Sequence, residues 1–196
     1  MIDRRVERAK FDGELQALQA CAPLLEARGC SIARAEFPTV DLLFTPRWPP
    51  MVVVVAPDGS RLLRQPLPGA GPRTFGARID FSGFDVLALS VSFRNPNSWD
   101  ALPVGAIGGF HCAPGELPVA VVHPHPKTGL AFLCVQGVRE YHEQPIHEGD
   151  DWLLYRDSCG LPYVVEAIWK TCVMSARPVL IPAGNGPLLR YAPVTA

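Results

Sequence analysis

The sequence predicts an α+β fold, an antiparallel meander sheet flanked by an N-terminal helix and a C-terminal helix. Three observations predict it: a helical spacing of apolar residues at the start of the chain, a series of short apolar runs separated by turn residues, and a second helical spacing before the C-terminus. With 196 residues, 48% of them apolar, the chain is long enough to build one core. We expect a single domain over residues 1–176 and an irregular C-terminal tail over residues 177–196.

The first helix is predicted over residues 2–22, where apolar side chains recur at spacings of three to five. Pro23 is disfavoured inside a helix. Either the helix kinks there, or a new turn begins with this proline at its first position. Gly29 is the predicted stop.

Short apolar runs bounded by turn residues predict the strands of the sheet. The runs are Cys30–Arg34, Thr39–Thr45, Met51–Ala56, Ser60–Arg64 and the alternating segment Leu87–Arg94. Residues 65–76 are crowded with Pro and Gly and are predicted to be a loop. Residues 95–116 also lack periodicity, and a connector of this length is predicted to be a long insertion.

The second half of the chain predicts a strand, a turn, a short buried segment and a helix. A strand over 118–122 runs into extended His-Pro repeats, Gly129 permits a turn, and residues 130–135 return as an apolar segment that ends near Cys134. Residues 139–151 carry five acidic side chains and are predicted to be a solvated loop rather than a site. Leu161–Val173 suits a helix, and Val179–Ile181 is a possible strand in the tail.

Charge and hydropathy argue against two classes of partner. The 18 Lys+Arg and 19 Asp+Glu leave a net charge of −1, so nothing indicates nucleic acid or an anionic membrane as a partner. The longest aliphatic stretches, Met51–Ala56 and Val119–Val122, are far short of the roughly 20 residues that cross a bilayer. The charged N-terminus lacks the apolar core of a secretory signal. We therefore expect a cytoplasmic protein.

The six cysteines are scattered without a CxxC pair, in a chain large enough to fold without disulfides. Neither a zinc ribbon nor a disulfide scaffold is expected. Because a free cysteine is most often a small buried hydrophobe, a chemical role has to be argued from its surroundings.

One segment points to chemistry: residues 123–134 read His-Pro-His-Pro-Lys-Thr-Gly-Leu-Ala-Phe-Leu-Cys. This resembles the active-site stretch of ubiquitin-conjugating enzymes, in which a His-Pro-Asn turn, a Gly-containing loop and the thioester-forming Cys follow one another. The wider order is similar too, with a basic first helix, a meander, a Pro-rich connector and, after the Cys, a Trp (Trp152) and a later helix. His125 replaces the family's Asn and lies nine residues before Cys134, about one more than usual. These departures point to divergent bacterial relatives of the family.

The resemblance implies a cysteine-dependent acyl transferase without a cofactor. In the family, the C-terminus of a ubiquitin-like modifier arrives as a thioester on an ATP-dependent activating enzyme, passes to the conjugating Cys and then to an amine. For this chain it implies Cys134 as the nucleophile, and the modifier, the activating enzyme and a protein or small amine acceptor as partners. No Gly-rich phosphate loop is visible, so ATP activation is expected in another protein. The chain also lacks the Gly-Gly terminus of a modifier.

Two histidines receive roles from the same resemblance. An oxyanion forms when the amine attacks, and a donor placed at it is often worth roughly 3 kcal/mol. His125 holds the position of the family's Asn and has an N–H to donate, so it is predicted to stabilise the oxyanion or the thiolate. His123 is predicted to hold the turn by hydrogen bonds. The opposing interpretation is that Cys134 lies in a core strand and only fills space.

Zinc binding is a second possible function. His123 and His125 would point the same way from a strand, although no closed ligand quartet is apparent. The residues that could complete the ligand set are Cys134, or His111, Cys112, His142 and His147 brought in by loops.

A non-catalytic binding module of the same fold is a third. Arg4, Arg5 and Arg8 at the basic end of the first helix suit docking to an acidic partner surface. In conjugating enzymes the first helix docks to the activating enzyme in this way. A solvated helix end is the alternative explanation of the cluster.

Overall fold

The computed structural model describes residues 3–45, 51–55, 61–66, 74–103, 121–125, 128–144, 147, 149–174 and 179–182. The helices are α1 (Arg4–Ala20), α2 (Ala22–Ala27), α3 (Arg139–His142) and α4 (Leu161–Ile168), which continues as a π-helix over Trp169–Met174. A 3-10 helix spans Trp152–Leu154. The strands are β1 (Cys30–Glu36), β2 (Thr39–Phe44), β3 (Met51–Val55), β4 (Arg61–Pro66), β5 (Phe75–Asp80), β6 (Ser90–Arg94), β7 (Val121–Pro124), β8 (Ala131–Cys134) and β9 (Val179–Pro182).

The main sheet is a four-stranded antiparallel meander in the order β1-β2-β5-β6. Its inner face follows the alternation of the strands, because every second side chain points to the same side. In β2 that face carries Val40, Leu42 and Phe44, all fully buried. Phe44 lies opposite Phe75 of β5 and their rings stack with centroids 5.0 Å apart. The predicted α+β class with an antiparallel sheet is confirmed.

Helix α1 covers this inner face. It begins after Asp3, whose carboxylate accepts the Arg5 backbone N–H at 2.8 Å and caps the helix. Phe11 and Leu18 on its inner side are buried, and the Phe11 ring meets Phe81 edge-on at 5.0 Å. Burial of side chains of this size stabilises the fold by about 2 kcal/mol each. The predicted first helix is confirmed.

Pro23 and Gly29, the two helix-breaking residues after α1, behave as the sequence predicts. Pro23 lies in the first turn of α2, so the second of the two alternatives holds: a new helix begins there. Gly29 ends α2 with a φ of +72°, and a Cβ at this position would collide with the carbonyl of Thr45. Only glycine fits that turn without strain.

Helix α4 begins against α1. The Leu161 backbone N–H donates to the Glu14 carboxylate at 2.7 Å, so an acidic side chain of α1 lies at the positive end of α4. The inner side of α4 is apolar, and Val164 and Ile168 are fully buried. The predicted helix over Leu161–Val173 is confirmed over its first eight residues and continues in π geometry.

A second sheet ties the tail to the middle of the chain. Strand β3 pairs antiparallel with β4 and parallel with β9. The predicted strand at Val179–Ile181 is confirmed as part of β9, so this stretch of the predicted irregular tail is regular structure.

Strand β5 corrects the predicted loop over 65–76. Strand β4 reaches Pro66 and β5 begins at Phe75, leaving a shorter connection. A Cβ on Gly76 would lie 3.0 Å from the Trp99 ring, so this glycine allows close packing over a central strand and does not interrupt it. The next predicted strand, over 87–94, is regular only from Ser90, and Leu87 is half exposed. No helix in the described part of the chain has the length and hydropathy of a bilayer span.

Candidate functional site

The residues of the predicted active-site segment form a hairpin beside the main sheet. Strands β7 and β8 pair antiparallel, and the His125 backbone N–H donates to the Leu130 carbonyl at 2.8 Å where the chain turns. The backbone N–H of Ala131 donates to Leu102, and that of Leu102 to Phe93 of β6. Through these bonds the hairpin continues the edge of the sheet, which fixes where β8 ends.

The register separates the two residues predicted to act together. Cys134 lies opposite Val121, and Pro124 lies opposite Ala131 at the turn end, next to His125. Ala131 and Cys134 are three steps apart on the same strand, about 10 Å at the usual rise of a strand. An oxyanion donor must come within hydrogen-bond distance of an atom bonded to the carbon that Sγ attacks. The register thus places the His125 backbone at the turn end of the hairpin and Cys134 at its other end, and the predicted role of the His125 side chain at the oxyanion stays a prediction.

His125 and His123 have other neighbours. The His125 ring meets the Phe132 ring edge-on, with centroids 5.8 Å apart. The backbone of His123 pairs with Phe132 in the hairpin, and the side chain of His123 lies outside the described part of the structure. Its predicted role in holding the turn therefore stays a prediction.

Cys134 ends β8 in a half-buried position, directly after the fully buried Leu133. Its Sγ lies 3.5 Å from Nε2 of His147, within hydrogen-bond distance for sulfur. Burial raises the pKa of the Cys134 thiol. A thiol in this situation needs a base beside it to become a nucleophile at neutral pH, and His147 is in contact with it.

His147 is in turn stacked on Tyr141 of α3. The ring centroids are 3.8 Å apart and the planes differ by 22°. The Tyr141 hydroxyl donates to Oδ2 of Asp150 at 2.5 Å, and the Gln136 side-chain amide donates to the same oxygen at 3.2 Å. We call these five residues, Cys134, Gln136, Tyr141, His147 and Asp150, the thiol cluster.

Asp150 is the hydrogen-bond hub of the thiol cluster. Bonds from Tyr141, Tyr155 and Gln136, in decreasing order of effect, lower the pKa of Asp150 to about 2. Burial and then the bond to Asp150 raise the pKa of Tyr141 to about 12. At neutral pH the pair is therefore a carboxylate that accepts a hydrogen bond from an intact phenol.

The chain reaches this geometry through a tight turn after Cys134. Gly137 has a φ of +85°, and a Cβ on it would collide with the side chain of Cys159. His142 closes the turn: its Nε2 accepts the Gly137 backbone N–H at 3.3 Å, and its Nδ1 lies 2.7 Å from the Asp150 carbonyl oxygen. Because one partner can only donate and the other can only accept, the proton of the ring is on Nδ1. His142 is a structural tie between the turn and Asp150.

Helix α3 is anchored to the sheet on its other side. The Glu140 carboxylate accepts the Ser90 hydroxyl and, at 3.3 Å, the Val91 backbone N–H. Arg139 donates to the carbonyl oxygens of Ser82 and Ala88. These bonds fix the four-residue helix and hence the ring of Tyr141.

Sequence reasoning grouped His147 with Cys134 only as possible zinc ligands and missed the rest of this half of the site. Residues 139–151 were predicted to be a solvated loop, whereas Tyr141, His147 and Asp150 all belong to the thiol cluster. The available signal was the mixture of two histidines and a tyrosine among the acidic residues, which a purely solvated loop does not need.

The remaining cysteines differ from Cys134. Burial raises the pKa of Cys30 to about 12 and also raises the pKa of Cys159 and Cys172, and all three thiols are buried. Cys21 is half-buried. Cys112 and His111 lie outside the described residues. Within the described residues, no group of three His, Cys, Asp or Glu side chains is arranged to hold a metal ion.

The three predicted docking arginines lie on the exposed start of α1. Arg5 pairs with Asp3 and Arg8 with Asp12, at 3.0 and 3.1 Å. The guanidinium groups of Arg4 and Arg8 lie 5.8 and 5.5 Å from the ring centroid of Phe37, which is in the β1–β2 turn. These residues form a basic surface around one aromatic ring, and they lie about 100 residues before the thiol cluster in the chain.

Known proteins resemble this chain in the region of the site. Residues 120–176 match the model of the Y4jH family, described as Y4jH-like, and this stretch contains the whole thiol cluster. Over a longer span the chain is similar to the uncharacterized protein y4jH of Sinorhizobium fredii, with 29% identity over 192 residues, which cover 86% of this chain and 83% of the relative. The name of the relative states no activity, so the chemistry has to be argued from the geometry.

Proposed function

We propose that this protein is a cysteine-dependent acyl transferase of the ubiquitin-conjugating kind, in which Cys134 accepts a modifier as a thioester. The observation that carries the proposal is the contact of the half-buried Cys134 Sγ with His147 Nε2 at 3.5 Å. A cysteine that only filled space in a core strand would have no need of an imidazole beside it.

The order of elements supports the ubiquitin-conjugating resemblance. Helix α1 and the short α2 precede a four-stranded meander, the cysteine hairpin follows the sheet, and the buried Trp152 and α4 come after it. This is the order that the resemblance implies. The additional strands β3, β4 and β9 are elaborations of it.

In the proposed reaction, His147 accepts and returns the proton, and Cys134 forms the bond to the acyl carbon. As the Cys134 sulfur attacks the thioester carbonyl carbon of the donor enzyme, its proton moves to Nε2 of His147. A new carbon–sulfur bond forms, the donor's carbon–sulfur bond breaks, and the departing thiolate takes the proton from the imidazolium. The overall change is an exchange of one thioester for another, which needs no oxidant and no metal.

In the second step an amine attacks the Cys134 thioester. The amine nitrogen bonds to the carbonyl carbon, the bond to Sγ breaks, and the proton lost by the nitrogen returns to the sulfur through His147. His147 thus acts as base in one direction and as acid in the other, the usual behaviour of a histidine in catalysis. The imidazole beside Cys134 distinguishes this site from the His-Pro-Asn arrangement of the family.

The proposed partners follow from the resemblance and from charge. A ubiquitin-like modifier and an ATP-dependent activating enzyme would supply the acyl group, and a protein or small amine would receive it. Arg4, Arg5 and Arg8 at the start of α1, with Arg4 and Arg8 over the Phe37 ring, are the proposed docking site for an acidic face of the activating enzyme.

A peptide ending in Gly-Gly and activated as a mercaptoethanesulfonate thioester tests the chemistry without the natural modifier. Intact-protein mass spectrometry should show one acyl adduct that dithiothreitol removes, and added lysine should discharge it as a lysine amide. Cys134→Ser should abolish the dithiothreitol-sensitive adduct, and Cys21→Ser, at the other half-buried cysteine among the described residues, should leave it unchanged. An adduct that persists in Cys134→Ser, or no adduct in the parent protein, would contradict the proposal.

A further inference from the structure

Four side chains of the thiol cluster form a continuous row. The Asp150 carboxylate accepts the Tyr141 hydroxyl at 2.5 Å, the Tyr141 ring stacks on the His147 ring at 3.8 Å, and His147 Nε2 lies 3.5 Å from Cys134 Sγ. The first two members do not touch the sulfur.

On the basis of the proposed function, we infer that Asp150 and Tyr141 are positioning residues that hold the His147 ring with Nε2 facing Cys134. The bond to Asp150 fixes the position of the Tyr141 hydroxyl and hence the direction of the ring axis, and the face of that ring fixes the plane of the imidazole. The transferase reaction depends on both without contact between either residue and the acyl group.

The need for a platform follows from the backbone around His147. Its N–H donates to the Gln144 carbonyl and its carbonyl accepts the Asp150 N–H, both at 3.0 Å. These bonds hold the main chain but leave the torsions of the imidazole free. A stacked ring removes that freedom, because a turn of the imidazole would break the aromatic contact.

A tyrosine face also suits a ring that takes up a proton. The π-face of tyrosine is negative, so it attracts an imidazolium more strongly than an imidazole. The carboxylate bonded to the hydroxyl strengthens this by drawing the phenol proton away from the ring. The Tyr141 face is therefore in place to contact the imidazolium that forms when the Cys134 proton moves to His147.

The titratable groups around His147 are few in the described structure. Cys134 and Tyr141 touch its ring, and Asp150, His142 and Tyr155 lie beyond Tyr141. The proton of His142 is committed to the Asp150 carbonyl and its other nitrogen to Gly137. The pH response of the thiol should accordingly depend on the row from Asp150 to Cys134.

The Tyr141–Asp150 bond also has a structural effect that does not involve His147. It ties α3 to the segment before the 3-10 helix, and its loss would loosen that tie whether or not His147 is affected. Loss of a tie lowers the melting temperature. It does not change the pH at which the Cys134 thiol becomes reactive.

The test is the rate of Cys134 alkylation by iodoacetamide between pH 5.5 and 10, measured by peptide mass spectrometry on the full chain. Tyr141→Phe keeps the platform and removes its bond to Asp150, Asp150→Asn removes the charge, and Tyr141→Leu removes the platform. His147→Gln removes the base, and Asp157→Asn, at a fully exposed carboxylate, is the matched control.

We expect Tyr141→Phe and Asp150→Asn to slow alkylation at pH 7 by about two- to five-fold, the range of an exposed cation–π contact. Tyr141→Leu should slow it further, all three profiles should move to higher pH and rejoin the parent above pH 10, and Asp157→Asn should match the parent. If the three profiles superimpose on the parent, or fall equally at every pH, while His147→Gln shifts, the inference is wrong and the proposed dyad stands. If His147→Gln also superimposes on the parent, the dyad itself fails.

Discussion

Cys134 and His147 are 13 residues apart in the chain, and their Sγ and Nε2 atoms lie 3.5 Å apart. The turn at Gly137 and the anchored helix α3 bring them together. Neither residue depends on the other for its place in the backbone, since β8 holds one and the bonds to Gln144 and Asp150 hold the other. Either side chain can therefore be changed with the other left in position.

His147→Gln should reduce the rate of acyl transfer from the peptide thioester to Cys134 by about 100-fold at pH 7, the lower end of what a positioned acid–base group contributes. The loss should shrink towards pH 10, where hydroxide ionises the thiol without help. Stopped reactions analysed by mass spectrometry give the rates. A His147→Gln variant that equals the parent at pH 7 would remove His147 from the mechanism.

Gly137→Ala should destabilise the fold by more than about 2 kcal/mol, because the new Cβ meets Cys159 and the left-handed backbone is strained for alanine. Gly129→Ala is the matched control, since its φ is +68° and its Cβ would meet nothing within 4 Å. It should cost only about 1 kcal/mol. Urea unfolding measures both, and equal losses would show that the Cys159 contact is unimportant.

Local patterns in the sequence were sufficient for some parts of the fold. The period of α1, the new start at Pro23, the stop at Gly29 and the hairpin turn at Gly129 each depend on a few neighbouring residues. Strand β5 was missed because Gly76 was interpreted as a breaker next to a Pro-rich and Gly-rich stretch. Its reason is the Trp99 ring above it, 23 residues further along the chain.

Only half of the candidate site could be predicted from the sequence, because the other half depends on residues that are distant in the chain. Cys134 follows from a local motif, whereas the function of residues 139–151 depends on distant partners. Glu140 anchors α3 because its carboxylate accepts hydrogen bonds from Ser90 and Val91. The turn at Gly137 brings Asp150 within hydrogen-bond distance of the Tyr141 hydroxyl. The register of β7 and β8, which separates His125 from Cys134, is also set by pairing across strands rather than by spacing.

The stability of the Glu140→Gln variant relative to the parent should increase as the pH rises. Burial raises the pKa of Glu140 above its usual 4.5, so the folded state holds its proton more tightly than the unfolded state. The parent therefore loses stability as the pH rises above about 4.5 through the folded pKa, and the glutamine variant does not. Urea unfolding at pH 4, 6 and 8 measures the difference, and a difference that stays constant over this range would contradict the assignment.

Asp150→Asn should show the opposite dependence on pH. Hydrogen bonds from Tyr141, Tyr155 and Gln136 lower the pKa of Asp150 from 3.8 to about 2, so the unfolded state binds its proton more tightly than the folded state. The stabilisation is complete above about pH 4 and is lost as the pH falls towards 2. The stability advantage of the parent over Asp150→Asn in urea unfolding should thus be constant from pH 5 to 7 and shrink between pH 4 and 2. Asp157→Asn should show no such trend, and an advantage for Asp150 that persisted at pH 2 would mean that its carboxylate is not what the three donors stabilise.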